Sequence, residues 1–220
     1  MNGIGDSHSA PQIIILDRCP AFSRGISTIL DDIGLPTTLR INTIVGFIQK
    51  FEVLTTADDR LVICGPHLDD RSLFGFFRWL RDSKPSSRLG VKSMLISAQT
   101  ADRNFYLDVA ANHVQACVPY DLPCEQIAQA IQDVLSGRML FSSQELEQAF
   151  RPIPITSAER QVLRLIAEGK TDREIAQMLW LSYRTVRNHA HRILTKLNVN
   201  DRNAAIARAY RRGILEERPL

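Results

Sequence analysis

Two domains of different class are predicted: an α/β domain built on a parallel sheet over residues 11–140 and an all-α domain of four short helices over residues 155–220, joined by a linker at 141–154. Three observations predict them. In the first part, short apolar runs alternate with longer helical patterns, which argues strands connected by crossover helices. In the last part, helix-start signals followed by apolar residues at helical spacing recur. Between the two, Arg151-Pro152-Ile153-Pro154 sets two prolines within three residues, a pattern that favours extended backbone and a short, stiff connection.

Taken in order, Gln12–Leu16, Arg60–Cys64, Val91–Ser97 and Val114–Val118 are short apolar runs and read as buried strands. Thr37–Ile41 supplies a further strand, weaker in apolar character and so nearer an edge. The helices between them are Pro20–Ile33, Thr43–Val53, Asp69–Ser83, Asp102–Asn112 and Pro123–Ser136; in the last, Ile127, Ala130, Ile131, Val134 and Leu135 recur at helical spacing. Five such βα units make a flavodoxin-like domain, whose ligand crevice lies at the carboxyl ends of the strands. Ser142–Phe150 reads as one short helix ahead of the prolines.

The 220-residue chain carries 45% hydrophobic residues, enough for two packed cores. Its net charge of +3 hides an asymmetry: residues 1–150 hold 13 Lys+Arg against 17 Asp+Glu, and residues 151–220 hold 14 against 7. A basic module behind an acidic one suits a polyanionic partner for the former only. No apolar run approaches a membrane span, and MNGIGDSHSAP does not resemble a signal peptide, so a cytoplasmic protein with no membrane partner is expected. Cys19, Cys64, Cys117 and Cys124 lack C-x-x-C or zinc-like spacing and are expected as free thiols, Cys64 and Cys117 in the core. Neither a nucleophile–base pair nor a metal-ligand cluster is evident, so an enzyme is not expected, and neither is a cofactor or metal.

In the C-terminal part each helix announces its start. Thr156-Ser157-Ala158-Glu159 and Thr171-Asp172-Arg173-Glu174 fit the capping box, Ser182 is placed to cap a third helix and Asn200 or Asp201 a fourth, and Gly169 can end the first. Only Leu181 and Ser182 separate the second and third helices, about the length of the turn in a helix-turn-helix, whose second helix enters the major groove. That helix begins with Arg184, Arg187, Asn188, His191 and Arg192, side chains suited to base edges and phosphates. Trp180 is expected as hydrophobic support at the turn or partly exposed, and His189 as a packed residue beside the core.

The order of elements in the first domain, with a helix-turn-helix behind it, resembles a response-regulator receiver domain over roughly residues 11–140. The resemblance implies a phosphoacceptor Asp closing the third strand, an acidic pair holding Mg²⁺ after the first, a hydroxyl after the fourth and a Lys after the fifth. This chain has Gly65 at the acceptor position, Asp17 and Arg18 for the pair, Ser97 for the hydroxyl and Tyr120 for the Lys. Gly65 offers no nucleophile, Arg18 puts a cation where Mg²⁺ needs oxygen, and Tyr120 cannot neutralise phosphoryl charge as Lys would. A degenerate pocket of Asp17, Arg18, Gly65, Ser97 and Tyr120 follows, with Asp17 expected to pair with Arg18 or Tyr120. Sharper alternatives are a small-ligand site, a redox-active Cys19, or a shifted acceptor at Asp69 or Asp70.

The run Glu174-Ile175-Ala176, Leu181-Ser182, Thr185-Val186-Arg187, His189 and Lys196-Leu197 is similar to the LuxR/NarL-type (GerE-like) helix-turn-helix over some sixty residues, with Asp172 and Ala158 as departures outside the reading helix. The resemblance implies a transcription regulator that binds duplex promoter DNA as a homodimer. It places Arg187, Asn188 and His191 toward base edges and Arg184, Thr185, Arg192 and Lys196 on phosphates. Arg202–Gly213 becomes the dimer helix, through Ala205, Ile206 and Ala209. The expected protein is an atypical response regulator working without Asp phosphorylation, through its abundance, a regulatory protein or a small ligand. The rivals are a regulator phosphorylated at a shifted acceptor and an interaction protein that titrates another regulator.

Overall fold

The computed structural model describes residues 11–51, 60–82, 91–100 and 102–215. The chain divides into two compact units, Met1–Leu146 and Glu147–Leu220. In the first, β1 (Gln12–Leu16), β2 (Leu39–Ile41), β3 (Arg60–Cys64), β4 (Val91–Ser97) and β5 (Ala116–Pro119) form a parallel sheet in the order β2-β1-β3-β4-β5. The crossover helices are α1 (Pro20–Asp32), α2 (Ile44–Phe51), α3 (Asp70–Asp82), α4 (Arg103–Ala111) and α5 (Cys124–Leu135). This is the flavodoxin-like arrangement, with both sheet faces covered, which is why β3 is buried along its whole length and reads as a continuous apolar run.

The weak strand is shorter than its sequence suggests. Thr37 and Thr38 spend their hydroxyls on Ser27 Oγ and the Ile13 amide, so regular pairing with β1 begins only at Leu39, and β2 lies at the sheet edge. The last strand starts two residues later than Val114, because His113 takes a left-handed turn (φ 62°) after α4. Thr43 caps α2 through the Gly46 amide instead of joining the helix. Val53 and Ser83, the expected ends of the second and third helices, lie outside the described residues, as do residues 216–220. One core cluster joins Ile13, Ile15, Leu61, Ile63, Met94 and Ile96 to the inward faces of α1 and α5. Among the described residues no helix is long and apolar enough to cross a membrane.

The division into units falls inside α6 (Ser143–Phe150), the short helix expected ahead of the prolines. Beyond it come α7 (Ser157–Ala167), α8 (Asp172–Leu179), α9 (Tyr183–Lys196) and α10 (Arg202–Arg211). Thr156 with Glu159 and Thr171 with Glu174 form complete capping boxes, Ser182 accepts from the Thr185 amide, and Asp201 accepts from the Ala204 amide. Gly169 ends α7 at φ 80°, a conformation that an L side chain resists. Val162, Leu163, Ile166, Ile175, Val186, Ile193 and Leu197 form the core, as their spacing predicts.

Two residues of this core depart from expectation. Ala205 (2% exposed) and Ala209 (0%) face into their own unit and do not form a surface for a second copy. Their small size serves the close approach of α10 to the core, and Arg202 is tied to Asp172 on α8 by an ion pair. Ile206 is partly buried against the same core.

Lys196 also departs from its expected role as a phosphate contact. Its ammonium donates to both carboxylate oxygens of Glu159 (2.9 and 2.7 Å) and to the Pro154 carbonyl (2.8 Å), joining the end of α9 to the start of α7. Burial pushes the Glu159 carboxyl up, but the Lys196 hydrogen bonds and those from Thr156 outweigh it and hold it below the usual carboxylate range. A depressed folded-state value gives stability that is complete above the unfolded value, about 4.3, and lost as pH falls through the folded one. Lys196→Met should therefore cost the C-terminal unit about 3 kcal/mol at neutral pH, since a buried Glu159 would lose its counter-charge. Urea denaturation should show this loss at pH 7 and a progressively smaller one as the pH is lowered and Glu159 becomes protonated.

Candidate nucleic-acid interface and receiver-like pocket

The helix α9 divides by periodicity into two faces. Val186, Ala190 and Ile193 are buried, while Arg184, Arg187, Asn188, His191, Arg192 and Thr195 are exposed. No acidic side chain is within ion-pair distance of Arg184, Arg187 or Arg192 among the described residues. Thr185 is half-buried, and its hydroxyl lies 2.7 Å from Ser182 Oγ, so it belongs to the helix start as well as to the presented end. The structure thus brings six of the seven expected DNA-facing residues to one end and side of a helix, and turns Lys196 to the core. His189 is half-buried, packed as expected but with Nδ1 lacking a hydrogen-bond partner among the described residues.

The turn between α8 and α9 bends through Trp180, which takes a left-handed conformation (φ 55°). Its indole is 94% exposed and supports no core. Met178 and Tyr183, on either side of it in sequence, are also exposed.

In the first unit the carboxyl ends of β1 and β3 meet, because Leu16 pairs in register with Cys64. Asp17 and Gly65 are then neighbours. Asp17 is buried, and its carboxylate accepts from the Cys19 amide (2.6 Å), the His67 amide (3.0 Å) and the His67 ring Nδ1 (2.9 Å). The expected partners are corrected here: Arg18, at 61% side-chain exposure, turns outward to Asp69 (3.6 Å), and Tyr120 is 56% exposed. A short exposed connection let the guanidinium reach water, which costs less than following Asp17 inward. Ser97 is buried and closes its own turn, its hydroxyl accepting from the Gln99 amide. Asp17 and Gly65 therefore share one site, while among the described residues no hydrogen bond or ion pair joins Arg18, Ser97 or Tyr120 to Asp17.

His67 is the residue that sequence reasoning missed. It stands two positions beyond Gly65, and only the parallel pairing of β1 with β3 brings it to Asp17.

The position of Gly65 is closed as well as inert. A Cβ there would lie 2.5 Å from Phe22 Cε1 and 2.6 Å from Asp17 Cγ, while the Asp17 carboxylate is held by three donors. Mg²⁺ requires hard oxygen ligands, and the pocket offers one carboxylate and a cation, Arg18, on the next residue; the residues do not fit that ion. Asp69 caps the start of α3 through the Ser72 amide, and Asp70 is its first residue. Burial raises the Asp69 carboxyl, but the Ser72 hydrogen bonds and the Arg18 charge lower it by more. Burial pushes the Cys64 thiol up, with the charge of Asp17 adding to it, and pushes Cys117 up to about 12, so both are inert core thiols. Cys19 is half-buried and Cys124 exposed. Asp17 and Arg18 also line a cleft of about 460 Å³ whose rim carries Arg24, Arg40 and Lys50.

Comparisons with known proteins agree with both units. Residues 154–209 match the family described as GerE: bacterial regulatory proteins, luxR family. The spore germination protein GerE of Bacillus subtilis is 41% identical over 71 residues, covering 32% of this chain and 96% of that protein. The transcriptional regulatory protein DesR of Bacillus subtilis is 39% identical over 94 residues, covering 42% of this chain and 47% of DesR, so the match spans about half of that relative's length. Among solved structures, RcsB from Salmonella enterica serovar Typhimurium bound to a promoter superposes with a TM-score of 0.69 over 92% of this chain and 99% of that one, at 18% identity. That likeness shows the fold of a response regulator.

The crowding at Gly65 generates a prediction. Gly65→Ala should destabilise the N-terminal unit by roughly 1–3 kcal/mol through overpacking against Asp17 and Phe22. Gly65→Asp should be worse still, because it sets a second carboxylate against a buried one. Thermal or urea denaturation of the two variants beside the wild type checks the order; a Gly65→Asp protein as stable as wild type would show that the pocket is open.

Proposed function

The chain belongs to the LuxR family of bacterial regulatory proteins, and on that footing we propose that it is a transcription regulator that binds duplex promoter DNA sequence-specifically, as a homodimer, without phosphorylation of its receiver-like unit. The observation that carries the reading is the exposed, cationic face of α9 behind a capped and buried start. Arg187 can bond guanine bidentately, Asn188 can do so with adenine, and His191 follows one turn on. Arg184, Arg192 and the helix start at Ser182 and Thr185 hold phosphates and set the register without reading sequence. The excess of 14 Lys+Arg over 7 Asp+Glu in residues 151–220 supplies the salt-dependent part of the affinity.

The two-fold assembly has to use another surface than Ala205 and Ala209. On α10 Asn203 and Ala207 are exposed beside half-buried Ala204, and these are the residues we assign to a contact with a second copy. For the phosphorylation-independent part, the support is the collision that any side chain at residue 65 would meet. Control then passes to the protein's abundance, a regulatory protein or a ligand. The shifted-acceptor reading finds less support, since Asp69 is spent on the α3 start and on Arg18.

Two outcomes are expected. In a binding titration at fixed salt, Arg187→Ala should weaken specific binding by roughly 1–3 kcal/mol and relax preference at one base pair, whereas Arg184→Ala should weaken all sequences alike. An Arg187→Ala protein with unchanged affinity and preference would mean that α9 does not enter the groove by this face. Incubation with acetyl phosphate and Mg²⁺ should leave both the intact mass and the DNA affinity unchanged; a stoichiometric adduct mapping to Asp69, Asp70 or Asp17 would return the protein to the phosphorylated class.

A further inference from the structure

Three metal-ligating side chains meet at the pocket from which Mg²⁺ chemistry has gone. One donor atom each of Asp17, Cys19 and His67 lies within 4.8 Å of the other two. The nearest pair is already in contact, with His67 Nδ1 2.9 Å from Asp17 Oδ1. In tetrahedral coordination, bonds of about 2.0–2.3 Å set neighbouring ligand atoms roughly 3.3–3.8 Å apart, so small rotations of three side chains admit an ion.

Each member is placed as a ligand would be. Asp17 is a buried carboxylate that forms no ion pair with a Lys or Arg among the described residues, since Arg18 turns away to Asp69. Cys19 occupies the N-cap of α1, a position where Ser, Thr, Asp or Asn usually bonds the helix start, yet its side chain makes no capping bond. His67 holds its ring edge-on to Phe22, with a 6.0 Å centroid separation, and its half-exposed side leaves the site reachable from solvent.

We infer that this pocket is a site for a borderline divalent transition ion of the Zn²⁺ class, bound by the Asp17 carboxylate, the Cys19 sulfur and His67 Nδ1. The donor set decides the class: one oxygen, one sulfur and one imidazole nitrogen suit Zn²⁺ or Co²⁺ and disfavour Mg²⁺. Three protein ligands leave a fourth position for water or an exogenous ligand. On binding, the Cys19 thiol gives its proton to solvent, and neutral His67 carries its ring proton on Nε2 instead of Nδ1. The ion ties the connection after β1 to the connection after β3, fifty residues apart in the chain. It supplies a ligand for the control assigned above, although the binding itself does not depend on DNA recognition.

The test uses the full chain, freed of metal with a chelator and titrated with Co²⁺ in the absence of DNA. One Co²⁺ per chain should bind with a thiolate-to-metal charge-transfer band. Zn²⁺ should displace it, and a large excess of Mg²⁺ should not. The band should vanish in Cys19→Ser and persist in Cys124→Ser, and His67→Gln should lower Co²⁺ affinity at least about 100-fold, beyond the loss typical of an outer-shell partner. Because a variant can fail to fold, the wild type gives a second readout: Zn²⁺ should slow alkylation of Cys19 while leaving Cys124 unchanged, as mapped by peptide mass. Absence of stoichiometric Co²⁺, a band that survives Cys19→Ser, or equal Cys19 alkylation with and without Zn²⁺ would overturn the site. Any of these would leave the DNA-binding reading intact, since that stands on the α9 titrations.

Discussion

The position of the presented face of α9 depends on a carboxylate buried beside it. Glu159 completes the capping box of α7 with Thr156 and takes the Lys196 ammonium from the far end of α9, so one side chain fixes the start of one helix against the end of another. With Val186, Ala190 and Ile193 inserted into the core, α9 has no freedom to roll. Rotating it by one residue would bury Arg187 and expose Val186, at a cost that neither capping nor surface charge could offset. A Lys that reads as one more phosphate contact is instead a clamp that fixes which face of α9 is exposed.

The first unit meets the same constraint with a different solution. A buried carboxylate must be satisfied, and Asp17 is satisfied by two backbone amides and a histidine ring. That arrangement brings Asp17 so close to residue 65 that a Cβ there would force Asp17 or Phe22 to shift. The same convergence gathers Cys19 and His67 around the carboxylate. The proposed independence from phosphorylation and the proposed N, O and S donor set thus rest on one packing arrangement.

The two units also divide the charge. The cations of the C-terminal unit split into an exposed set on α9 and a structural set: Arg208 donates to the Leu197 carbonyl at the end of α9, Arg202 pairs with Asp172, and Arg212 donates to the carbonyls of Ala149 and Arg151. A count of basic residues in the sequence merges these sets. Only burial and hydrogen bonding separate the cations that hold the fold from those available to a polyanion.

The sequence alone determined what depends on neighbours along the chain. Capping boxes, the Gly169 stop, the two helix faces of α9 and the alternation of strands with helices are set by residues within a few positions of each other, so their hydrogen bonds and periodicity are legible without coordinates. The tertiary structure decided what depends on residues far apart. His67 reaches Asp17 only because β1 and β3 are adjacent and in register, and Lys196 finds Glu159 across 37 positions. Ala205 and Ala209 look like a docking surface on an isolated helix and are core once α10 lies on its own unit. Local free energy writes elements and their ends into sequence, whereas the partner of a buried charge and the fate of a small apolar face are chosen by which elements pack together.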